Sequence, residues 1–394
     1  MEIKKFIVSF LVIILFSINS FNNISAKANI IELDNAKIIA EKFKANSIYT
    51  ETWKYGELVF VNLIYDVDDS LLGYHFIINE KGQNIGYIVV SASENVETIF
   101  SFGTGSFINE DVEQNSGEKI YFINPVSIVT AKNTIELNET FEKNKTELID
   151  KLKDEMTLNN LSDEDSTDSI REEIELIENL ELKTVSERNL ENNITDSESA
   201  IQNSNPSVIT PLASNPLQVR RVYQRSSGVL QPGKSCGPAV GVMMSNYYYS
   251  IGYESINNSG YYGGDAKFIN HLASSGYMKT GTVGTSLANF EDGLRKHLNL
   301  NLTSNLFDVA RTSATNKYST YKNLINSGHP VAIRFTNIWE AIFGSSAYSW
   351  HYVLGTGYSG SNVIMLDPDG SSSGTKTFNY TTYQSDMNLI WIIP

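Results

Sequence analysis

The apolar and polar positions of this chain change pattern from region to region. Phe6 to Phe16 is an almost unbroken apolar run behind Lys4 and Lys5, and Ala26-Lys27-Ala28 comes next in small-x-small form. A short basic region, an apolar stretch too short for a comfortable membrane span and a small-residue cleavage pattern predict a secretory signal over residues 1–28. From Ile31 to Ala45 the spacing is helical, with Leu33, Ala36, Ile39, Ala40 and Phe43 on one face. Leu58 to Tyr65, Tyr74 to Ile78 and Ile85 to Val90 read as strands, the last two joined across a turn at Asn79 to Asn84. Residues 29–139 are thus expected to form a small α+β domain, and its one histidine, His75, reads as structural.

Charge divides the rest of the chain. Phe141 to Ala200 carries 18 acidic and 7 basic residues, a net of -11. It has no Gly or Pro and no aromatic beyond Phe141. Ser169 to Leu182 fits a charged helix, but residues 140–213 as a whole read as an acidic, partly disordered linker. Between Asn203 and Pro216 the chain turns to Pro, Ser and Asn, which marks a domain boundary and a candidate processing site. Residues 214–394 have 9 acidic and 13 basic residues, so the formal net charge of -15 resides upstream. That balance argues against nucleic acid as the main partner and supplies no basic tail for a membrane surface.

The C-terminal region is rich in Gly, Ser, Tyr and Asn and holds Cys236, four of the five histidines and three of the four tryptophans. Cys236 is the only cysteine, which rules out an intramolecular disulfide. An exported lone thiol is an oxidation liability, so it is either buried and inert or kept for its reactivity. After it, Val240, Met243, Met244, Tyr247 and Tyr248 fall at i, i+3, i+4, i+7 and i+8, one buried face of a helix. Pro238 suits the first turn of that helix. Cys236 then lies at the helix start, where unpaired N–H groups and the dipole favour a thiolate. A small buried cysteine at a helix start explains the same residues blandly.

His351 opens the apolar run His351-Tyr352-Val353-Leu354, which closes in a Gly turn. A strand end holds a base rigidly. His271 and His297 lie in helix-like stretches, Ala266 to Ser274 and Leu287 to Leu298. His329 sits in a turn before the strand Val331 to Phe335. A satisfied structural histidine is the plain alternative for each. Val363 to Leu366 is a strand closing on Asp367, sixteen residues beyond His351. A hairpin would bring Asp367 to the far nitrogen of His351 and fix its tautomer. Asp367-Pro368-Asp369-Gly370 is also explained as a turn alone. Nothing matches a phosphate loop, a dinucleotide fingerprint or metal-ligand spacing, so no cofactor or metal is expected.

Cys236-Gly237-Pro238, His351-Tyr352-Val353 and Asp367-Pro368 together resemble papain-like cysteine peptidases, and more narrowly the bacterial branch related to bacteriocin-leader (double-glycine) peptidases. The resemblance covers roughly Val219 to Pro394. It implies a catalytic domain over 214–394 with a cysteine-bearing N-terminal helix and an antiparallel sheet bearing His and Asp. It also implies an oxyanion hole formed by a glutamine side chain and the cysteine's own N–H. Gln231 lies five residues before Cys236. Gln224 lies twelve before and ends the strand-like Val219 to Tyr223. Gln224 is preferred, with an inserted turn between it and Cys236. Residues 29 to about 137 vaguely resemble inhibitory propeptides of exported bacterial cysteine proteases, through a helix and then strands that include Gly86 to Ser91.

The expectation is therefore a secreted, extracellular cysteine peptidase made as a zymogen. It acts on peptide or protein substrates and contacts its own N-terminal propeptide region, with no nucleic acid and no stable membrane insertion after signal removal. Trp350 and the loop Trp339 to Ser349 are candidate cleft residues. The rival readings are a transglutaminase-like acyltransferase or amidase with the same triad, and a non-catalytic secreted binding or toxin-like protein.

Overall fold

The computed structural model describes residues 30–93, 98–108, 117–159, 171, 174–175, 177–195, 216–281, 284–304, 306–336, 351–369 and 374–394. The predicted signal, the Trp339 to Ser349 loop, Trp350 and nearly all of the Asn203 to Pro216 boundary lie outside these residues. Among the described residues no helix is long and apolar enough to cross a membrane.

The N-terminal region opens with helix α1 (Leu33–Asn46), in which Ala36, Ala40 and Phe43 of the predicted face are buried while Ile39 is half-buried and Leu33 exposed. Six strands come next: β1 (Glu57–Tyr65), β2 (Leu71–Glu80), β3 (Gln83–Ser91), β4 (Ile99–Gly103), β5 (Lys119–Asn124) and β6 (Ser127–Ala131). They form one sheet in the order β4-β3-β2-β1-β5-β6. Its pairs are antiparallel except β1 with β5. The β2–β3 turn runs through Lys81 and Gly82 at φ 55° and 84°, the left-handed pair that matches the twist of a tight hairpin.

The acidic stretch departs from the linker expectation. Helix α2 (Thr134–Asn159) begins before it and runs into it. Leu137, Phe141, Leu148 and Leu152 are buried with Tyr121, Ile123, Ile174 and Ile177. Helix α3 (Val185–Thr195) lies within it. An apolar stripe at intervals of four and seven holds α2 to the sheet, however charged the opposite face.

The C-terminal region begins with an extended segment from Pro216. The strand-like Val219 to Tyr223 joins neither sheet. It is held by single bonds at its ends, Leu217 N–H to the Thr356 carbonyl (2.8 Å) and Gln224 N–H to the Pro368 carbonyl (2.9 Å). Helices α4 (Cys236–Ser250), α5 (Asp265–Ala273), α6 (Leu287–Leu298) and α7 (Tyr318–Asn326) accompany a second six-stranded sheet. Its strands are β7 (Asp308–Ser313), β8 (Val331–Phe335), β9 (His351–Ser359), β10 (Asn362–Leu366), β11 (Thr375–Asn379) and β12 (Met387–Ile393), in the order β11-β10-β9-β8-β12-β7. Every pair is antiparallel.

Period-two alternation stacks these pieces in layers. On the first sheet, Phe76, Ile78, Ile88 and Val90 pack with α1. Tyr87 and Val89 point the other way, with Phe100 and Phe122, and meet the second sheet at Ile333, Val353, Val363, Met365 and Leu389. The opposite side of the second sheet supplies Ala332, Tyr352, Leu354, Ile390 and Ile392 to a core filled by α4, α5 and α6. The order is helix, sheet, sheet, helices, so the two regions share an apolar core instead of being held apart.

Candidate active site

Cys236 is the first residue of α4 and is buried, 3% exposed. The short turn Pro232–Lys234 leads into it, and the first helical bond runs from Ala239 N–H to the Ser235 carbonyl at 2.8 Å. The whole predicted apolar face, Val240, Met243, Met244, Tyr247 and Tyr248, is buried. Cys236 shares its core cluster with Tyr352, the residue after His351. Tyr352 is fixed by a bond from its hydroxyl to the Thr285 carbonyl (3.0 Å) and by stacking on Phe290 at 4.8 Å.

His351 opens β9, opposite Phe335 of β8, and is 2% exposed. Strand β10 returns antiparallel to β9, with Leu366 across from Leu354. Asp367, the next residue, therefore arrives back beside the start of β9. Its Oδ1 lies 2.8 Å from His351 Nε2. Burial alone would raise the Asp367 carboxyl, but His351, Lys376 and the Asp369 N–H outweigh it and hold the group well below the usual carboxylate range. As an anion Asp367 can only accept, so Nε2 carries the hydrogen of this bond and Nδ1 is the basic nitrogen of the neutral ring.

Three contacts around Asp367 lie beyond what the sequence pattern signals. Lys376 Nζ of β11 is 3.4 Å from Oδ2, both side chains buried. Arg221 Nε donates to the Asp367 carbonyl. Arg225 grips Asp369 with two bonds, one of them Nη2 to Oδ2 at 2.9 Å. Asp369 thus has more than a turn role, clamping the end of β10. Lys376 sits inside a short polar run, Thr375-Lys376-Thr377, where nothing local distinguishes it from a solvent-facing lysine.

The two glutamines are placed differently. Gln224 is buried, 1% exposed. Its backbone N–H holds Pro368, next to Asp367, and its Nε2 donates to the Pro232 carbonyl at 3.1 Å, four residues before Cys236. It links the carboxylate turn to the approach to the cysteine, and its second Nε2 hydrogen enters no described bond. Gln231 is exposed, and its carbonyl accepts from Lys234 N–H and Ser235 Oγ (2.7 Å).

The other histidines are engaged elsewhere. His297 Nε2 lies 3.0 Å from the Asn257 carbonyl, and burial pushes it down to about 4. His271 bonds the Tyr262 hydroxyl and His329 the Tyr248 hydroxyl. His75 is buried beside Tyr87 and Phe107. Among the described residues no group of three or more His, Cys, Asp or Glu is placed to hold a metal ion.

Residues 216–393 match the family model described as the Peptidase_C39 like family, which leaves residues 1–215 outside the match. No curated protein matches the chain. A solved structure described as a candidate C39-like peptidase from Bacillus anthracis aligns at 14% identity and a TM-score of 0.27, over 46% of this chain and 99% of that one. So low a score adds nothing to the fold assignment. The family match falls on the segment that contains Cys236, His351 and Asp367. The C-terminal part of this chain is a papain-like cysteine peptidase domain, similar over residues 216–393 to the Peptidase_C39 like family.

Proposed function

We propose that the protein hydrolyses peptide bonds through a Cys236–His351–Asp367 triad and an acyl-enzyme. The observation that carries this reading is the buried 2.8 Å bond between His351 Nε2 and Asp367, which leaves Nδ1 as the ring's base. Cys236 sulfur attacks the scissile carbonyl, and the oxyanion is met by the Cys236 N–H and the second Nε2 hydrogen of Gln224. His351 Nδ1 takes the Cys236 thiol proton as the sulfur attacks and passes it to the leaving amine as the C–N bond breaks. It then takes one from the water that cleaves the thioester and returns it to the sulfur. Asp367 holds the ring throughout and stabilises the imidazolium.

The chain is exported, on the strength of its basic, apolar and small-residue N-terminal pattern. It is made as a precursor cut between Asn203 and Pro216, where the composition turns and the family match begins. One assay tests the chemistry: casein digestion with and without an added primary amine, comparing wild type with Cys236→Ala. Peptide release by wild type alone supports a peptidase. Amine incorporation without cleavage would make it an acyltransferase instead. N-terminal sequencing of protein from culture medium tests export and processing together. A fragment starting near Asn203 to Pro216 is expected, and only full-length, fully active protein in the medium would sink the precursor reading.

A further inference from the structure

Strand β11 carries Lys376 and forms one edge of the C-terminal sheet. An uncovered edge presents unpaired backbone groups that must find partners. Here β4, the edge strand of the N-terminal sheet, provides them. Ser101 Oγ donates to the Thr377 carbonyl at 2.7 Å, Phe102 N–H to Thr377 Oγ1 at 2.7 Å, and Thr377 Oγ1 to the Phe102 carbonyl at 2.8 Å. Thr375 N–H donates to Thr104 Oγ1 at 3.2 Å, and its hydroxyl lies 2.6 Å from the Tyr49 hydroxyl. The residues on either side of Lys376 are thus both fastened to the N-terminal domain.

The fit is closed at the backbone. A Cβ on Gly103 would lie 1.9 Å from the Thr375 carbonyl oxygen, and one on Gly374 would lie 2.0 Å from Gly105 N. Only glycine permits that approach. Behind the edges, the two sheets share the cluster of Tyr87, Val89, Phe100 and Phe122 with Ile333, Val353, Val363 and Phe378. Helix α3 adds the ion pair of buried Arg188 with half-buried Asp386 and a 2.8 Å bond between Thr382 and Asn189. Among the described residues, the cluster around Cys236 draws on those from Leu217 onward.

We infer that the N-terminal domain is a lasting part of the working peptidase, which through β4 and β11 keeps Lys376 on Asp367 and so keeps His351 oriented. This rests on the triad reading above and gives the propeptide-like region a different fate from removal. Cutting the 196–215 segment separates the chain without separating the domains. A freed catalytic domain would expose the apolar face of its sheet and an unpaired β11 edge. Lys376 is a positioning residue in this account, since it acts through Asp367.

The test keeps the full chain. A recognition site for a sequence-specific protease is built into the 196–215 segment, and the purified protein is nicked and run on a native sizing column. Hydrolysis and the rate of iodoacetamide reaction at Cys236 are measured on the product. The two pieces are expected to co-elute, with activity no lower than that of the uncut protein. Gly103→Val, which blocks the close approach to Thr375, is expected to release the pieces and lower hydrolysis at least tenfold. Lys376→Met in the uncut chain is expected to lower kcat about tenfold, a part of what acid–base catalysis contributes, with KM little changed. The pH–rate profile should shift with it, and Lys376→Arg should restore both. Separation of the nicked wild-type pieces overturns the inference. So do full activity in a separated Gly103→Val domain and an unchanged pH profile in Lys376→Met. Failure of the triad reading would look different: hydrolysis persisting in Cys236→Ala, with co-elution and the sizing result unaffected.

Discussion

The two sides of the C-terminal sheet are built from the same alternating strands but covered by different regions of the chain. One side is packed by α4, α5 and α6 of the same domain, and the helix start that carries Cys236 belongs to it. The other is packed by a sheet whose strands end before residue 132, with α7 alongside. The difference separates two jobs. In the proposed mechanism the α4 side presents the nucleophile. The N-terminal side supplies burial, and its edge strand fastens the residues that flank Lys376. Substitutions of the site residues on the first should affect chemistry with little change in stability. On the second they should affect stability first.

The largest contrast is expected from Cys236→Ala. Hydrolysis should fall by roughly 10³-fold or more, as loss of a nucleophile does in triad enzymes, with the melting temperature nearly unchanged. A melting shift as large as that of a core truncation would blur the division. Next is Asp367→Asn, which keeps the shape but removes the charge that selects the His351 tautomer. It is expected to cost about 10²-fold or more in kcat, measured under saturating substrate. On the opposite side, Phe122→Ala empties part of the shared cluster. It should cost about 3–5 kcal/mol in denaturant titration. If it cost under about 1 kcal/mol, the N-terminal domain would be no structural partner of the sheet.

How far these features can be read from sequence depends on the range of the contacts involved. The α4 face was legible because Val240, Met243, Met244, Tyr247 and Tyr248 repeat at helical spacing within one segment. The β9–β10 hairpin was legible because apolar strands flank a short Ser-Gly turn. Helix α2 was hidden, since 18 acidic residues between Phe141 and Ala200 masked the sparse stripe of Leu137, Phe141, Leu148 and Leu152. Val219 to Tyr223 misled in the other direction: its pattern suits a strand, but only isolated bonds hold it. The Arg225–Asp369 clamp was invisible because it joins positions distant in sequence, and Lys376, nine residues beyond Asp367, because its contact leaves no local pattern. The shared core was invisible for the same reason, since a strand buried on both sides says nothing of what covers it.

The smallest effect concerns pH. Burial pushes His75 down to about 3 and His297 to about 4, from an ordinary value of 6.5. Below pH 6.5 the unfolded chain takes up these protons and the folded chain does not, so stability is lost as pH falls toward 4. The slope is at most about 1.4 kcal/mol per pH unit for each group. Asp66 opposes this: burial pushes it up to about 6, so the folded chain takes its proton first and gains stability as pH falls from 6 toward 4. Two groups against one leave a net loss, read as a lower melting temperature at pH 5 than at pH 7. His75→Leu should flatten that slope on the N-terminal side while leaving hydrolysis at pH 7 intact.

The central claim is that the buried lone thiol does the chemistry. The direct measurement is mass spectrometry of the intact protein during stepwise alkylation with iodoacetamide near neutral pH, with peptide hydrolysis assayed at each step. A single adduct on Cys236, with activity falling in proportion to the modified fraction, is the result predicted. Hydrolysis that persists with Cys236 fully alkylated would contradict it.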